Sequence, residues 1–307
     1  MHDRLTSLYR RLTTTVLGSE DQAYWLLAAL LANGHVLIQG APGIGKTTLA
    51  HTLATGIDGE FRRVQFTPDL LPSDLVGYSL YHQGRGEFQF IPGPVFTNIL
   101  LADEINRTSP RIQSALLECM NEHQVTVDGV TRPLPPPFLV IATQNTLYST
   151  GTFPLPEPQL DRFLLSLSPT TPDVQLLGDV VALHARQPVA ADNPPLIHAA
   201  EIREMQKGVV AVRVDEKIAR YIASLVHGAG KHDGVRGGLS PRAAIALLRA
   251  SQAVAALERE PAVYPDHVKK AAVPVLQHRL GLREATDGGQ AQARQWIEHL
   301  LRVVPVP

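Results

Sequence analysis

The segment from Gly40 to Thr47, which reads GAPGIGKT, constrains the fold of this chain more than any other part of its sequence. An apolar run, Val36-Leu37-Ile38, precedes it, and a segment typical of a helix start follows it. Strand, glycine-rich loop and helix in this order are the context that the pattern G-x-x-x-x-G-K-T needs to form a phosphate-binding loop. Without that context the segment would be only a glycine-rich turn that carries Lys-Thr.

The residue types of this loop explain how it would hold phosphate. Glycine lets the backbone turn so that successive N–H groups point at phosphate oxygens, and the following helix N-terminus adds the positive end of its dipole. We expect Lys46 to reach the β- and γ-phosphates of a nucleoside triphosphate and the Thr47 hydroxyl to bind Mg²⁺. The residues expected to contact the nucleotide here are Gly40, Ala41, Pro42, Gly43, Ile44, Gly45, Lys46, Thr47 and Thr48.

Composition narrows the class of protein. The length of 307 residues favours about two domains, and a hydrophobic content of 44% is enough to bury a core. The net charge of −1 creates no general attraction for nucleic acid or membrane surfaces.

The single cysteine, Cys119, excludes an intrachain disulfide and a cysteine-built metal site, and its helical spacing predicts a core position. No apolar stretch is long enough to cross a bilayer, so we expect a cytoplasmic protein.

Short apolar runs predict an α/β fold with a parallel sheet. They lack the alternation of half-exposed strands, which is typical of strands buried on both faces, and helical segments lie between most of them. The ligand of such a sheet binds at the carboxyl ends of the strands. The five runs are Val36–Gln39, Arg63–Phe66, Ile99–Ala102, Phe138–Ala142 and Leu164–Ser168.

Two β-hairpins are predicted as insertions, at about residues 79–91 and 124–132. Aromatic residues alternate along the second arm of the first, and Asp128-Gly129 supplies the favoured tight turn of the second. They are either decoration of the scaffold or contact surfaces for partners. After Pro172 strand signals end, which predicts an αβα nucleotide-binding core over residues 1–171 and an α-helical lid over 172–307.

Polar residues at two strand ends complete the expected phosphate chemistry. Asp103 and Glu104 follow the apolar run that starts at Ile99, where we expect Asp103 to hold Mg²⁺ through water and Glu104 to polarise the attacking water. Asn145 follows the next run and can orient water near the γ-phosphate, provided that its strand lies between the other two. The alternatives are a polar turn at Asp-Glu and an asparagine that caps a turn.

Two arginines are further candidates. Arg162 stands at the start of the last predicted strand, from which it could reach the nucleotide of a neighbouring subunit and stabilise transition-state charge. The alternative is a surface salt bridge with Asp161 or Glu157. Arg242 lies in the first turn of a helix for which Ser240 is the predicted N-cap, and it could reach the γ-phosphate. Otherwise it is an exposed arginine of that turn.

Together these residues resemble the AAA+ ATPases, and specifically the MoxR family. The motifs that carry the resemblance are QFTPDLLPSDLVG from Gln65, LADEINR from Leu101 and QSALLE from Gln113. Two positions depart from the family pattern: Thr146 stands where proline is usual, and Leu239 where a small residue is usual. Neither change removes a reactive group.

The resemblance implies a five-stranded sheet core, an α-helical lid and a ring, usually a hexamer. It implies that Lys46 and Thr47 belong to Walker A, and Asp103 and Glu104 to Walker B. It further implies that Asn145 is sensor 1, Arg162 the arginine finger and Arg242 sensor 2. Residues Val16, Leu17 and Gly18 would contact adenine.

The function that the resemblance implies is Mg²⁺-dependent hydrolysis of ATP to ADP and phosphate. Such proteins remodel or activate client proteins, often with a partner that carries a von Willebrand factor A (VWA) domain. Two other functions stay open. A nucleic-acid-directed motor would need basic hairpin tips, but only Arg85 and Arg132 are present there, and a scaffold or switch without hydrolysis would be favoured if Glu104 or Arg162 were absent.

Overall fold

The structure is a computed structural model that describes residues 2–40, 45–144, 151–168, 172–186, 194–231, 234–235, 238–281 and 289–307. Its strands are β1 Val36–Gln39, β2 Phe61–Gln65, β3 Gly77–His82, β4 Glu87–Pro92, β5 Ile99–Asp103, β6 Gln124–Val127, β7 Val130–Pro133, β8 Leu139–Gln144 and β9 Leu165–Leu167. Its α-helices are α1 His2–Thr15, α2 Glu20–Leu31, α3 Lys46–Gly56, α4 Pro72–Val76, α5 Pro110–Glu122, α6 Glu157–Leu160, α7 Val174–Arg186, α8 Ala199–Val210, α9 Glu216–Ala229, α10 Pro241–Leu257, α11 Pro265–Leu276 and α12 Gly289–Val303. A 3₁₀ turn spans Ile105–Arg107.

The main sheet has five strands in the order β2-β5-β8-β1-β9. Strand β5 pairs in parallel with β2, where Gln65 faces Asp103, and with β8, where Ala102 faces Ala142. Every residue of β1 and β5 is buried, which explains why their sequences do not alternate. The predicted α/β fold is confirmed, and β8 lies between β1 and β5 as the expectation for Asn145 required.

Strand β2 begins earlier than predicted and ends before Phe66. Pairing with β5 sets its bounds, because Phe61 lies opposite Ile99, the first residue of that strand. It is an edge strand with largely exposed side chains, so its apolar signal is weak. Phe66 is fully buried just beyond the strand, and this burial explains why the predicted strand ended one residue later.

Contacts between Cα atoms group the chain into two compact units. The first comprises Met1–Leu27, Leu37–Leu155 and Leu167–Arg203. Its core is built by fully buried side chains of α1, α3 and the central strands, such as Leu12, Leu53 and Leu101. Complete burial of such a leucine contributes about 1.5–3 kcal/mol to the free energy of unfolding.

The second unit comprises Ala28–Val36, Pro156–Ser166 and Glu204–Pro307. Asp215 is the N-cap of helix α9, and its carboxylate accepts a hydrogen bond of 2.9 Å from the backbone N–H of Lys217. Its buried residues Ile218, Ile222 and Leu225 recur at helical spacing and form one apolar face. A division near residue 171 into separate domains remains a prediction.

Both predicted hairpins are present. Strands β3 and β4 pair in antiparallel fashion from Gly77–Pro92 to His82–Glu87, and β6 pairs with β7 across the tight turn at Asp128-Gly129. Both turn residues have positive φ, 53° and 74°, which is the backbone geometry that Asp-Gly favours. None of the helices in the described ranges is long and apolar enough to cross a membrane.

Cys119 is buried in α5, as predicted. Burial, assisted by the charge of Glu118, raises the pKa of its thiol from 9.0 to about 12. Ionisation therefore favours the unfolded chain, and this thiol lowers stability only as the pH rises above 9.0. We expect a thiol reagent at pH 8 to label the native protein hardly at all and to label one thiol per chain after unfolding. Stoichiometric labelling of the native protein would contradict the buried position.

Candidate functional site

The end of the phosphate loop leads directly into α3. Gly45 is the N-cap of that helix with φ of 72°, and Lys46 and Thr47 form its first turn. A Cβ atom at Gly45 would lie 2.7 Å from Cγ1 of Val16, so both the backbone angle and the close approach require glycine. Ala41, Pro42, Gly43 and Ile44 lie outside the described residues.

A cleft of about 270 Å³ lies beside this helix start. It brings together residues predicted to bind phosphate and to activate water, because Lys46, Thr47 and Glu104 all line it. The complete lining is Gly40, Gly45, Lys46, Thr47, Thr48, Arg63, Gln65, Asp103, Glu104 and Thr143. The cleft lies at the carboxyl ends of β5 and β8, where ligands of open α/β sheets bind.

Asp103, the last residue of β5, is fixed by neighbours on both sides. Its Oδ2 accepts a hydrogen bond of 2.7 Å from Nε of Arg63 in β2, and its Oδ1 accepts one of 3.1 Å from Oγ1 of Thr143 in β8. Oγ1 of Thr143 also accepts a bond of 2.9 Å from the backbone N–H of Glu104. The adjacent strands thus hold this carboxylate in one orientation.

Glu104 diverges from Asp103 because its backbone is left-handed, with φ of 56° and ψ of 50°. Its Oε2 accepts hydrogen bonds from Nε2 of Gln65 at 2.9 Å and from Nη1 of Arg107 at 3.2 Å. The two neighbouring carboxylates therefore have separate partners, which fits separate chemical roles. To orient a water molecule, Glu104 has to give up or share these bonds.

The charges of the cleft favour an anionic ligand that brings a cation with it. Burial lowers the pKa of Lys46, whereas the carboxylates of Asp103 and Glu104 act in the opposite direction. Because the ammonium group is partly desolvated, it interacts with a phosphate more strongly than an exposed lysine would.

The oxygen atoms in the cleft fit Mg²⁺. Thr47 and Asp103 offer a hydroxyl and a carboxylate, the hard ligands that this ion prefers. Within the described ranges, no group of three or more His, Cys, Asp or Glu residues could form a metal site by itself. Mg²⁺ commonly uses one or two protein oxygens together with substrate phosphates and water.

The predicted adenine contacts lie next to the phosphate loop. Val16 packs against Gly45, and a Cβ atom at Gly18 would lie 2.4 Å from Cδ2 of Leu176 in α7. The segment Val16–Gly18 therefore lies between the phosphate loop and α7. Leu176 could not be identified from the sequence, since an apolar residue of a helix carries no motif.

The predicted sensor residues and the predicted arginine finger lie in different parts of the chain. Asn145 lies outside the described residues. Arg162 and Arg242 belong to the second compact unit, where Arg162 follows α6 and Arg242 is the exposed second residue of α10. The carboxylate of Asp161, the predicted alternative partner of Arg162, accepts bonds from Arg279 and Ser240.

Ser240 is the N-cap residue of α10 as predicted, but its side chain does not cap the helix. Its hydroxyl donates a hydrogen bond of 2.8 Å to Oδ2 of Asp161 instead. A contact between residues so distant in sequence cannot be read from the capping pattern, which considers only the next few residues.

The side chain of Arg132 in the second hairpin makes contacts within the protein. Its guanidinium carbon lies 3.9 Å from the centre of the Phe90 ring in the first hairpin, and it donates to the backbone oxygens of Val127 and Val130 at 3.1 and 3.0 Å. One of the two basic side chains expected near the hairpin tips thus joins the hairpins to each other.

Comparison with known families agrees with this geometry. The ATPase family associated with various cellular activities (AAA) matches residues 35–165, and the AAA lid domain matches residues 229–298. A crystal structure of a candidate ATPase from Cytophaga hutchinsonii has a TM-score of 0.91 and 36% identity, covering 100% of this chain and 96% of that one.

Relatives with names extend the comparison. Chaperone MoxR1 of Mycobacterium tuberculosis is 36% identical over 95% of this chain and 79% of its own length. Protein MoxR of Paracoccus denitrificans is 32% identical over 100% of this chain and 97% of its own length. The uncharacterized protein YeaC of Bacillus subtilis is 43% identical over 100% of this chain and 96% of its own length. The chain therefore belongs to the MoxR family of AAA+ ATPases.

Proposed function

We propose that this protein hydrolyses ATP to ADP and phosphate with Mg²⁺, and that it uses the energy to remodel or activate client proteins. The observation that carries the proposal is the convergence of Lys46, Thr47, Asp103 and Glu104 on one cleft. A phosphate-binding loop alone would support only nucleotide binding. A second carboxylate beside the Mg²⁺ position is what hydrolysis needs in addition.

Four residues of the cleft have a proposed part in the reaction, together with Asn145 and Arg242. Lys46 binds the β- and γ-phosphates, and Thr47 with Asp103 holds Mg²⁺, which neutralises charge on the phosphates when bound. Glu104 accepts a proton from the water that attacks the γ-phosphate. Asn145 helps to orient that water, and Arg242 senses the γ-phosphate. A measurement of phosphate release with Mg²⁺ and with a chelator tests this proposal.

Assembly is part of the proposal. We infer a homo-oligomeric ring, of hexameric size by family resemblance, in which Arg162 of one subunit completes the nucleotide site of the next. An arginine supplied by a neighbour makes hydrolysis depend on assembly and couples the subunits. A cyclic ring uses the same head-to-tail interface at every step, so each subunit both supplies and receives such an arginine.

The client role rests on the relatives and on the exposed hairpin. One relative is named a chaperone, and the family resemblance adds a partner with a VWA domain. The first hairpin exposes Tyr78, Leu80, Tyr81 and Phe88, with Phe88 74% exposed. A nucleic-acid-directed motor is less favoured, because Arg132 is used within the protein and the net charge is −1.

Two phenylalanines of β4 allow a matched test of the hairpin. We expect Phe88→Ala to leave basal ATP turnover unchanged but to reduce stimulation of turnover by the VWA partner, because its ring is exposed. The ring also contacts Tyr81, with ring centres 5.2 Å apart, so the free energy of unfolding should fall by no more than about 0.5–1.5 kcal/mol. Phe90 contacts Phe96, with ring centres 5.5 Å apart, as well as Arg132. Phe90→Ala should therefore cost about 1–2 kcal/mol of stability from these ring contacts. Loss of basal turnover in Phe88→Ala would show that the hairpin tip is structural.

A further inference from the structure

A buried arginine holds the segment that carries Arg162. The side chain of Arg279, which follows α11, is only 3% exposed. It donates to Oδ1 of Asp161 at 2.8 Å and to the backbone oxygens of Asp161, Phe163 and Leu164 at 3.2, 2.6 and 3.2 Å. It also donates to the backbone oxygen of Val275, which lies four residues earlier in the chain.

This arrangement fixes the backbone on both sides of Arg162. His278, next to Arg279 and also buried, makes a hydrogen bond of 3.0 Å from Nε2 to the backbone oxygen of Phe163. Its burial and the adjacent guanidinium hold the pKa of His278 well below its usual range, so the imidazole is neutral at physiological pH and donates that bond. Several hydrogen bonds that restrict the backbone in this way can hold a catalytic side chain in one orientation.

The second oxygen of Asp161 leads to α10. Oδ2 of Asp161 accepts the hydroxyl hydrogen of Ser240, and Ser240 is the N-cap of the helix whose second residue is Arg242. Because this hydroxyl makes no cap bond, its one described side-chain contact is the link to Asp161. The two arginines that we assign to the γ-phosphate are therefore joined through one carboxylate.

We propose that the network of Ser240, Asp161 and Arg279 positions Arg162 and ties its position to the N-terminus of α10. This inference rests on the proposed function, in which Arg162 acts on the nucleotide of the neighbouring subunit. A change at the start of α10 is then transmitted to the arginine that the subunit offers to its neighbour. Asp161 and Arg279 are positioning residues, since neither is assigned a contact with the nucleotide.

The test uses two kinds of subunit mixed in one ring. The hydrolysing subunit carries Arg162→Ala, and the supplying subunit carries Glu104→Gln, so that ATP turnover arises only where the supplying subunit offers its Arg162 to the hydrolysing one. Ser240→Ala is then added to either subunit. This substitution removes the link to Asp161 without removing a helix cap bond, so the fold should be kept.

We expect Ser240→Ala on the supplying subunit to lower kcat of the mixture about tenfold. Misplacement of a catalytic group can lower the rate by up to about 100-fold. The same change on the hydrolysing subunit should leave kcat unchanged, and KM for ATP should stay constant in both mixtures. The matched control is Ser251→Ala, which removes another hydroxyl of α10, one whose hydrogen bond among the described residues is to the backbone oxygen of Leu247. It should have no effect on either subunit.

The outcomes separate this inference from the proposed function. Three results would overturn the positioning role in a mixture that is otherwise active. Ser240→Ala could lower kcat equally on both subunits, lower it only on the hydrolysing subunit, or leave it unchanged on both. If the mixture shows no turnover even with Ser240 intact, the supply of Arg162 to a neighbour fails, and the inference fails with it.

Discussion

Glu104→Gln should retain ATP binding while turnover falls by about 100-fold or more, the lower end of what a general base contributes. The amide oxygen of glutamine can still accept the bonds from Gln65 and Arg107, so the shape of the cleft should be preserved. What is lost is the negative charge that takes the proton of the attacking water. Phosphate release and the binding of a fluorescent ATP analogue, measured on the same preparation, check the two halves of this expectation.

Glu118→Gln is the matched control for that substitution. Glu118 lies on the exposed face of α5 and lines no part of the described cleft, so the same chemical change there should leave turnover intact. Unchanged turnover in Glu104→Gln would remove Glu104 from the reaction. Loss of ATP binding would instead show that the carboxylate is needed to build the site.

Arg162→Ala should lower turnover by about 1,000-fold, since an arginine supplied to a phosphoryl-transfer site contributes about 10³–10⁵ in rate. The substitution should leave the segment folded, because Arg279 and His278 hold its backbone through the oxygens of residues 161, 163 and 164. ATP affinity should change little. Single-turnover phosphate release at saturating ATP provides the measurement.

Two comparisons make the Arg162 result specific. Arg203→Ala, at an exposed position of α8, removes the same charge and should leave turnover unchanged. Specific activity of the unsubstituted protein should also rise with protein concentration, because each site needs a neighbour. Turnover that is independent of concentration in a protein shown to be monomeric would exclude an arginine acting between subunits.

The fold was predictable because its signals are local. Runs without alternation identified the buried strands β1, β5 and β8. An Asp-Gly pair identified the second hairpin. Strand bounds were less predictable at β2, an edge strand whose start depends on its pairing with Ile99 rather than on its own sequence.

The lining of the cleft was predictable where motifs mark it and not where it depends on contacts between strands. Lys46, Thr47, Asp103 and Glu104 line one cleft, as their motifs indicated. Arg63 and Thr143 were missed, although they bind both oxygens of Asp103, because an arginine or threonine within a strand is not a signal by itself. Gln65 stood in a family motif, but only the structure brings it to Glu104.

The link between Ser240 and Asp161 shows a different limit of sequence reasoning. The pattern Ser-Pro-Arg correctly predicted where α10 begins. It also predicted a capping hydrogen bond, but the Ser240 hydroxyl donates to the carboxylate of Asp161. A charged acceptor forms a stronger hydrogen bond than a neutral one, and this carboxylate also pairs with Arg279. A charged acceptor brought close by the fold competes successfully with the local backbone.

Mixing Arg162→Ala subunits with Glu104→Gln subunits tests most directly whether hydrolysis occurs at a site shared by neighbours. Each variant alone should be nearly inactive. In an equal mixture about one quarter of the interfaces should join an intact Glu104 to an intact Arg162, because random assembly of a head-to-tail ring produces that pairing. Recovery of turnover on mixing is the expected result. Activity that stays at the sum of the two separate variants, while mixed rings are shown to form, would contradict a site completed by Arg162 of the adjacent subunit.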